Sequence, residues 1–161
     1  MKFNKKKLVN QVIVGARENS IGVVLFHQAV GSILGINITD MKCLDIIVIR
    51  GFANPSQLAK LTGLSTGSTT AMIDRLEKKE LIERQHNPKD RRGTIIVLTK
   101  GAMNKLHLLF DSMAKAMERL VSGYSEEELE TLSEFFRKVS LLWWKERDKL
   151  RLQFIGNVRV K

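Results

Sequence analysis

The chain has 161 residues and 43% hydrophobic content, enough to build a core for one domain or two small ones sharing it, which argues against a disordered chain. Aromatic residues make up only 6%, too few for the stacking platforms that bind RNA or single strands. A formal net charge of +10, from 27 Lys and Arg against 17 Asp and Glu, points to an anionic partner, nucleic acid or an acidic membrane surface, although such charge also serves solubility.

The charge is unevenly placed. Residues 50–100 hold 10 basic against 5 acidic side chains, whereas residues 101–161 hold 11 against 9. Most of the remainder sits in Lys2, Lys5, Lys6 and Lys7. The single cysteine, Cys43, allows no intrachain disulfide and fits a reducing compartment. The basic start is not followed by an apolar signal region, because Asn10, Gln11, Arg17 and Glu18 interrupt it. No run is apolar enough to span a bilayer, so a cytoplasmic protein with no membrane partner is expected.

In chain order, the first expected helix covers roughly Leu8 to Leu34, with a stripe of Ile21, Val24, Leu25, Ala29, Ser32 and Ile33 at i, i+3, i+4 spacing. Gly15, Gly22 and Gly31 weaken the expectation that it is continuous, and Gly35 can end it in a left-handed cap. Thr39 can cap a second helix through Ile49, with Asp40 in its first turn. Asn54-Pro55-Ser56-Gln57 starts a third, with Asn54 as cap, Pro55 at the first position and Gln57 completing a capping box. Its inward residues are Leu58, Ala59 and Leu61. Thr62-Gly63-Leu64 is a tight turn, and Ser65 caps a fourth helix over Thr66–Lys79.

Ile82-Glu83-Arg84-Gln85-His86, a turn from Asn87 to Gly93 and Thr94-Ile95-Ile96-Val97-Leu98 spell a hairpin. Thr99 starts a long helix to about Ser122, with Leu106, Leu109, Phe110, Met113, Met117 and Leu120 on one face. Ser125-Glu126-Glu127-Glu128 is a capping box for a last helix to at least Arg147, along which Leu129, Leu132, Phe136, Val139 and Trp143 alternate three and four apart. The tail from Leu150 has no assigned place. A small helix-turn-helix with a hairpin therefore lies between helices with more apolar surface than it needs, which suggests dimerisation by the flanks.

The fourth helix opens with Thr66, Gly67, Ser68, Thr69 and Thr70. Hydroxyls there can reach phosphates, base edges or thymine methyls, and Gly67 lets backbone approach a duplex; the same residues also suit an ordinary helix start. Thr69 shares the inward side with Met72, Ile73 and Leu76, so it can be partly core. Arg75 can reach a phosphate or a base, or pair with a carboxylate. The hairpin tip carries Lys89, Asp90, Arg91 and Arg92, a basic loop able to lie along a minor groove, with Asp90 placed to orient an Arg. His27, His86, His107 and Cys43 sit on different elements without ligand spacing, so no metal or other cofactor is expected. No nucleophile–base pair, phosphate loop or paired carboxylate asks for catalysis, so no enzyme is expected.

The central residues resemble the MarR-type winged helix-turn-helix transcription regulators. The likeness runs through Leu58-Ala59, Gly63-Leu64-Ser65, Ile73-Asp74-Arg75-Leu76-Glu77-Lys78-Lys79, Leu81-Ile82-Glu83-Arg84, Asp90-Arg91-Arg92-Gly93, Leu98-Thr99 and Gly101. The resemblance implies a mainly α fold with a small β-hairpin wing, a winged helix-turn-helix flanked by N- and C-terminal dimerisation helices. Segments 1–38 and 100–161 would then serve dimerisation, and 39–99 would form the reader. It further implies a recognition helix at Ser65–Lys79 and a wing Arg at Arg92 oriented by Asp90. The expected partners are a second copy of the chain, a pseudo-palindromic double-stranded operator and a small lipophilic or phenolic effector that relieves repression. Two departures stand out. The family usually has Gly where Glu80 stands, and its peroxide-sensing cysteine lies in the first helix, whereas Cys43 lies in the second. The alternative is a winged-helix protein-interaction module without specific DNA binding, recognised by binding that ignores Arg92→Ala.

Overall fold

The computed structural model of the protein describes residues 4–88 and 90–155, without the side chains of Asp90, Arg91, Arg92, Phe154 and Ile155. These residues form α1 (Lys5–Leu34), α2 (Ile38–Arg50), α3 (Pro55–Thr62), α4 (Thr66–Lys78), β1 (Ile82–Asn87), β2 (Asp90–Leu98), α5 (Lys100–Val121) and α6 (Glu126–Leu150). A π-helical turn, Arg151–Ile155, follows α6. The chain divides into two units, residues 1–109 and 110–161.

In the first unit, α1 is continuous through all three glycines. It closes in a Schellman turn in which Ile36 donates to the Gly31 carbonyl (2.8 Å) and Gly35 to that of Ser32 (3.2 Å), with Gly35 left-handed at φ 65°. A Cβ at Gly31 would stand 3.0 Å from the Ile36 carbonyl oxygen, so the bare backbone is what lets the chain turn back there. The cap of α2 is Asn37 rather than Thr39. Asn37 is extended, and its side chain accepts the Asp40 amide at 2.9 Å, while Thr39 already lies in the helix. The capping box of α3 forms as its sequence spells it, and Gly63 ends that helix at φ 81°.

The core of this unit is shared by Met41, Leu44 and Ile47 of α2, Leu58 of α3 and Met72, Ile73 and Leu76 of α4. Ile82 and Ile96 of the hairpin complete it. Cys43 is fully buried beside them; burial first, then the Asp40 carboxylate, push its thiol up to about 12. Across the α1–α2 contact, the Lys42 ammonium donates to His27 Nδ1 (2.6 Å) and to Asp45 Oδ2 (3.0 Å). Burial lowers the His27 pKa below its ordinary 6.5, helped by Lys42 and opposed by Asp45.

Helix α4 stops at Lys78, and the exit is unusual. Glu80 is left-handed at φ 57°, the one non-glycine with positive φ among the described residues. Leu81 donates to the Leu76 carbonyl (3.0 Å) and Glu80 to that of Glu77 (2.8 Å), so a turn that ordinarily takes glycine forms on a glutamate. Thr99 braces it: its hydroxyl donates to the Glu80 carbonyl (2.7 Å), its oxygen accepts the Ala102 amide (3.0 Å), and its amide donates to Leu81 (3.2 Å).

β1 and β2 pair antiparallel from Ile82↔Leu98 to His86↔Thr94; the register then jumps to Asn87↔Asp90. The expected turn from Asn87 to Gly93 is therefore shorter, because Asn87 belongs to β1 and residues 91–93 to β2. Ala53, between α2 and α3, exchanges both backbone hydrogen bonds with Ile96 (3.1 and 2.7 Å), tying the hairpin base to the helices.

In the second unit, Ser125 and Glu128 form the α6 capping box, and α6 buries no residue. Met113, Met117 and Leu120 of α5 and Phe136, Leu142 and Trp143 of α6 are exposed large apolar side chains. Among the described residues no single helix is long and apolar enough to cross a membrane.

Candidate nucleic-acid interface

The N-terminal turn of α4 is built by its cap. Ser65 is extended, its Oγ accepts the Ser68 amide (3.2 Å) and donates to Ser68 Oγ (2.9 Å), and its carbonyl accepts the Thr69 amide (2.9 Å). Among the described residues the amides of Thr66 and Gly67 have no acceptor. Unpaired N–H groups at the positive end of a 13-residue helix form a place where an anion is favoured. Ser65, Thr66, Gly67, Ser68 and Thr70 are exposed, and the Thr70 hydroxyl donates back to the Thr66 carbonyl (3.1 Å). A Cβ at Gly67 would meet nothing within 4 Å, so the helix backbone is open to whatever approaches.

Two residues of the expected site make partners within the protein. Thr69 is 2% exposed, packs on the inward side with Met72 and Ile73, and donates its hydroxyl to the Ser65 carbonyl (2.9 Å); it belongs to the core. Arg75 takes the carboxylate option. Its Nε donates to Asp40 Oδ2 (2.9 Å) and its Nη2 to Asp40 Oδ1 (2.5 Å), a two-pronged pair with a carboxylate 1% exposed. That hydrogen bond and the carboxylate's charge raise the Arg75 pKa further. Lys89 and the side chains of Asp90, Arg91 and Arg92 lie outside the described residues, so the expected orienting of Arg92 by Asp90 does too.

The residues that composition and pattern missed are those that lock the reader together. Arg84 of β1 donates Nη2 to Asp74 (2.5 Å) and Nη1 to Glu77, and its amide donates to Glu77 Oε1 (3.2 Å). The hairpin is thereby fixed to the C-terminal half of α4. The signal was Asp74 and Glu77 three apart on one helix face with a basic residue at the start of the next strand. Among the described residues no three His, Cys, Asp or Glu gather as metal ligands.

The arrangement is that of a known family. Residues 36–94 match the model of the MarR family. An uncharacterized HTH-type transcriptional regulator of Bacillus subtilis, YcgE, is 39% identical over 128 residues, which is 80% of this chain and 83% of that protein. The chain belongs to the MarR family. The regulator MhqR of the same organism is 33% identical over 107 residues, covering 66% of this chain and 74% of its own length. A mutant of MarR from Escherichia coli, crystallised in complex with operator DNA, superposes with a TM-score of 0.50 at 25% identity, over 86% of this chain and 98% of that one. The mainly helical architecture with one two-stranded wing is that of the family, and YcgE and MhqR are both named as HTH-type transcriptional regulators.

Proposed function

We propose that the protein is a homodimeric, sequence-specific, double-stranded DNA-binding repressor that a small lipophilic or phenolic effector releases from its operator. The observation that carries the reading is the α4 N-terminus. Exposed Ser65, Thr66, Ser68 and Thr70, the open backbone at Gly67 and two unpaired amides suit phosphate contact and close approach to a major groove. Lys89, Arg91 and Arg92 of the wing would add phosphate or minor-groove contacts, with Asp90 orienting Arg92. Segment 39–99 would act as the reader, with 1–38 and 100–161 as dimerisation segments. The exposed apolar residues Val12, Ile21 and Leu25 of α1, Met117 of α5 and Trp143 of α6 support a partner copy, and two-fold symmetry calls for a pseudo-palindromic operator. The operator DNA bound by the E. coli MarR mutant supports the same partner class. The chain would work in the cytoplasm, with no catalytic activity. The test is binding of the purified protein to the DNA upstream of its own gene against a scrambled duplex, at several salt concentrations. Saturable preference with a steep salt slope supports the reading; equal, weak binding to both duplexes refutes it for that fragment.

A further inference from the structure

One two-pronged ion pair ties α4 to the corner between α1 and α2. Arg75 holds Asp40, whose own amide is bound to the Asn37 cap. One turn further on, at the cap of α4, the exposed Lys79 ammonium is near Gly35, the left-handed cap of α1, 3.2 Å from where a Cβ would stand. Asp40 is almost wholly buried, so breaking the pair strands a carboxylate without its counter-charge and costs far more than the loss of a surface ion pair. A forked guanidinium on a fixed carboxylate sets direction as well as distance, which a single lysine contact cannot do.

We infer that Arg75 is a positioning residue, which with Asp40 sets the angle of the recognition helix against the α1–α2 corner, and is not a contact to DNA. The inference rests on the DNA-binding reading and adds to it a path by which movement of α1 is passed to α4. Removing Asp40 takes away a negative charge, which by electrostatics alone would tighten binding to DNA. Positioning has the opposite sign for the specific complex, because the helix loses its register in the groove.

The experiment uses the full-length protein and a duplex that it selects from a randomised pool. Absence of any selection defeats the DNA-binding reading itself, separately from this inference. With a selected duplex in hand, Asp40→Asn, Arg75→Gln and the double variant are compared with the wild type on it and on a scrambled duplex, across salt, at a temperature where melting curves show each folded. The expected result is about tenfold weaker binding of the selected duplex in each single variant, no further loss in the double, and little change on the scrambled duplex. The salt slope stays that of the wild type. The inference is overturned if Asp40→Asn binds as well as or better than the wild type. It is equally overturned if Arg75→Gln weakens both duplexes with a slope smaller by about one, the mark of a lost phosphate contact. Should the Asp40 variants not fold, Arg75→Lys decides, since it keeps the charge on a half-exposed side chain and loses only the fork. Loss of selectivity supports positioning, and retention overturns it.

Discussion

Gly67→Ala is expected to make the protein more stable and a poorer DNA binder. Gly67 is the second residue of α4, where its lack of a side chain gives the unfolded chain extra freedom. The added methyl meets nothing within 4 Å, so no clash offsets the gain. Intrinsic helix preference then contributes about 0.5–1 kcal/mol, the lower end being apt so close to a helix start. For a chain of this length that raises the melting temperature by about 2 °C. In the complex the same methyl occupies the space through which the duplex backbone approaches, between the two unpaired amides and the flanking hydroxyls. A tenfold loss of affinity, about 1.4 kcal/mol, is expected. Thermal melting at one fixed protein concentration, beside salt titrations on the selected duplex, measures both quantities. A variant that is more stable and binds as the wild type does would remove the α4 N-terminus from the interface; one that is less stable would refute the argument about the helix.

Glu80→Gly should stabilise by about 1 kcal/mol, because a side chain at φ 57° is strained and glycine is not; a lower denaturation midpoint would show that the Thr99 bracing depends on Glu80. His27 gives a pH signature. Its folded pKa lies below 6.5, so the unfolded chain takes up a proton that the folded chain refuses. The stability this confers is full above pH 6.5 and is lost as pH falls through the folded value. Denaturant midpoints should therefore fall more steeply below pH 6.5 in the wild type than in His27→Gln, and parallel curves would contradict this. Cys43, with its thiol pushed up to about 12, should resist a thiol-modifying reagent at pH 8 until the protein is unfolded; rapid labelling of the native chain would disprove the burial argument.

Local chemistry was legible in the sequence wherever one turn of chain decides the outcome. Asn54 with Gln57, Ser125 with Glu128, the Ser65 cap and the left-handed Gly35 and Gly63 each depend on neighbours within a few residues, and each forms as spelled. Glu80 shows the same rule from the other side, because a left-handed helix exit forms there without a glycine. Competing local signals were harder. Asn37 and Thr39 both suit a cap, and the geometry of the Gly35 exit selects Asn37. Arg91-Arg92-Gly93 reads as turn because it is charged and ends in glycine, yet its backbone continues β2. Pairings across the chain left no periodicity to read. Asp40 and Arg75 are 35 residues apart, and the Ala53 bridge to Ile96 involves a single residue on each side. The same holds for Thr69, whose hydroxyl resembles those of its exposed neighbours until burial distinguishes it.

The register of the wing has an evolutionary consequence. Pairing from Ile82↔Leu98 to His86↔Thr94 is anchored at its base by Ala53, and residues 91–93 lie across the register shift before Asn87↔Asp90 closes the hairpin. An insertion or deletion among those three positions leaves every pairing from Ile82 to His86 in place, so no side chain is flipped to the opposite face of the ribbon. The tip can therefore change length as well as sequence while the core stays unaltered. One residue added within α4 would instead turn everything beyond it by about 100° and carry the inward face out of the core.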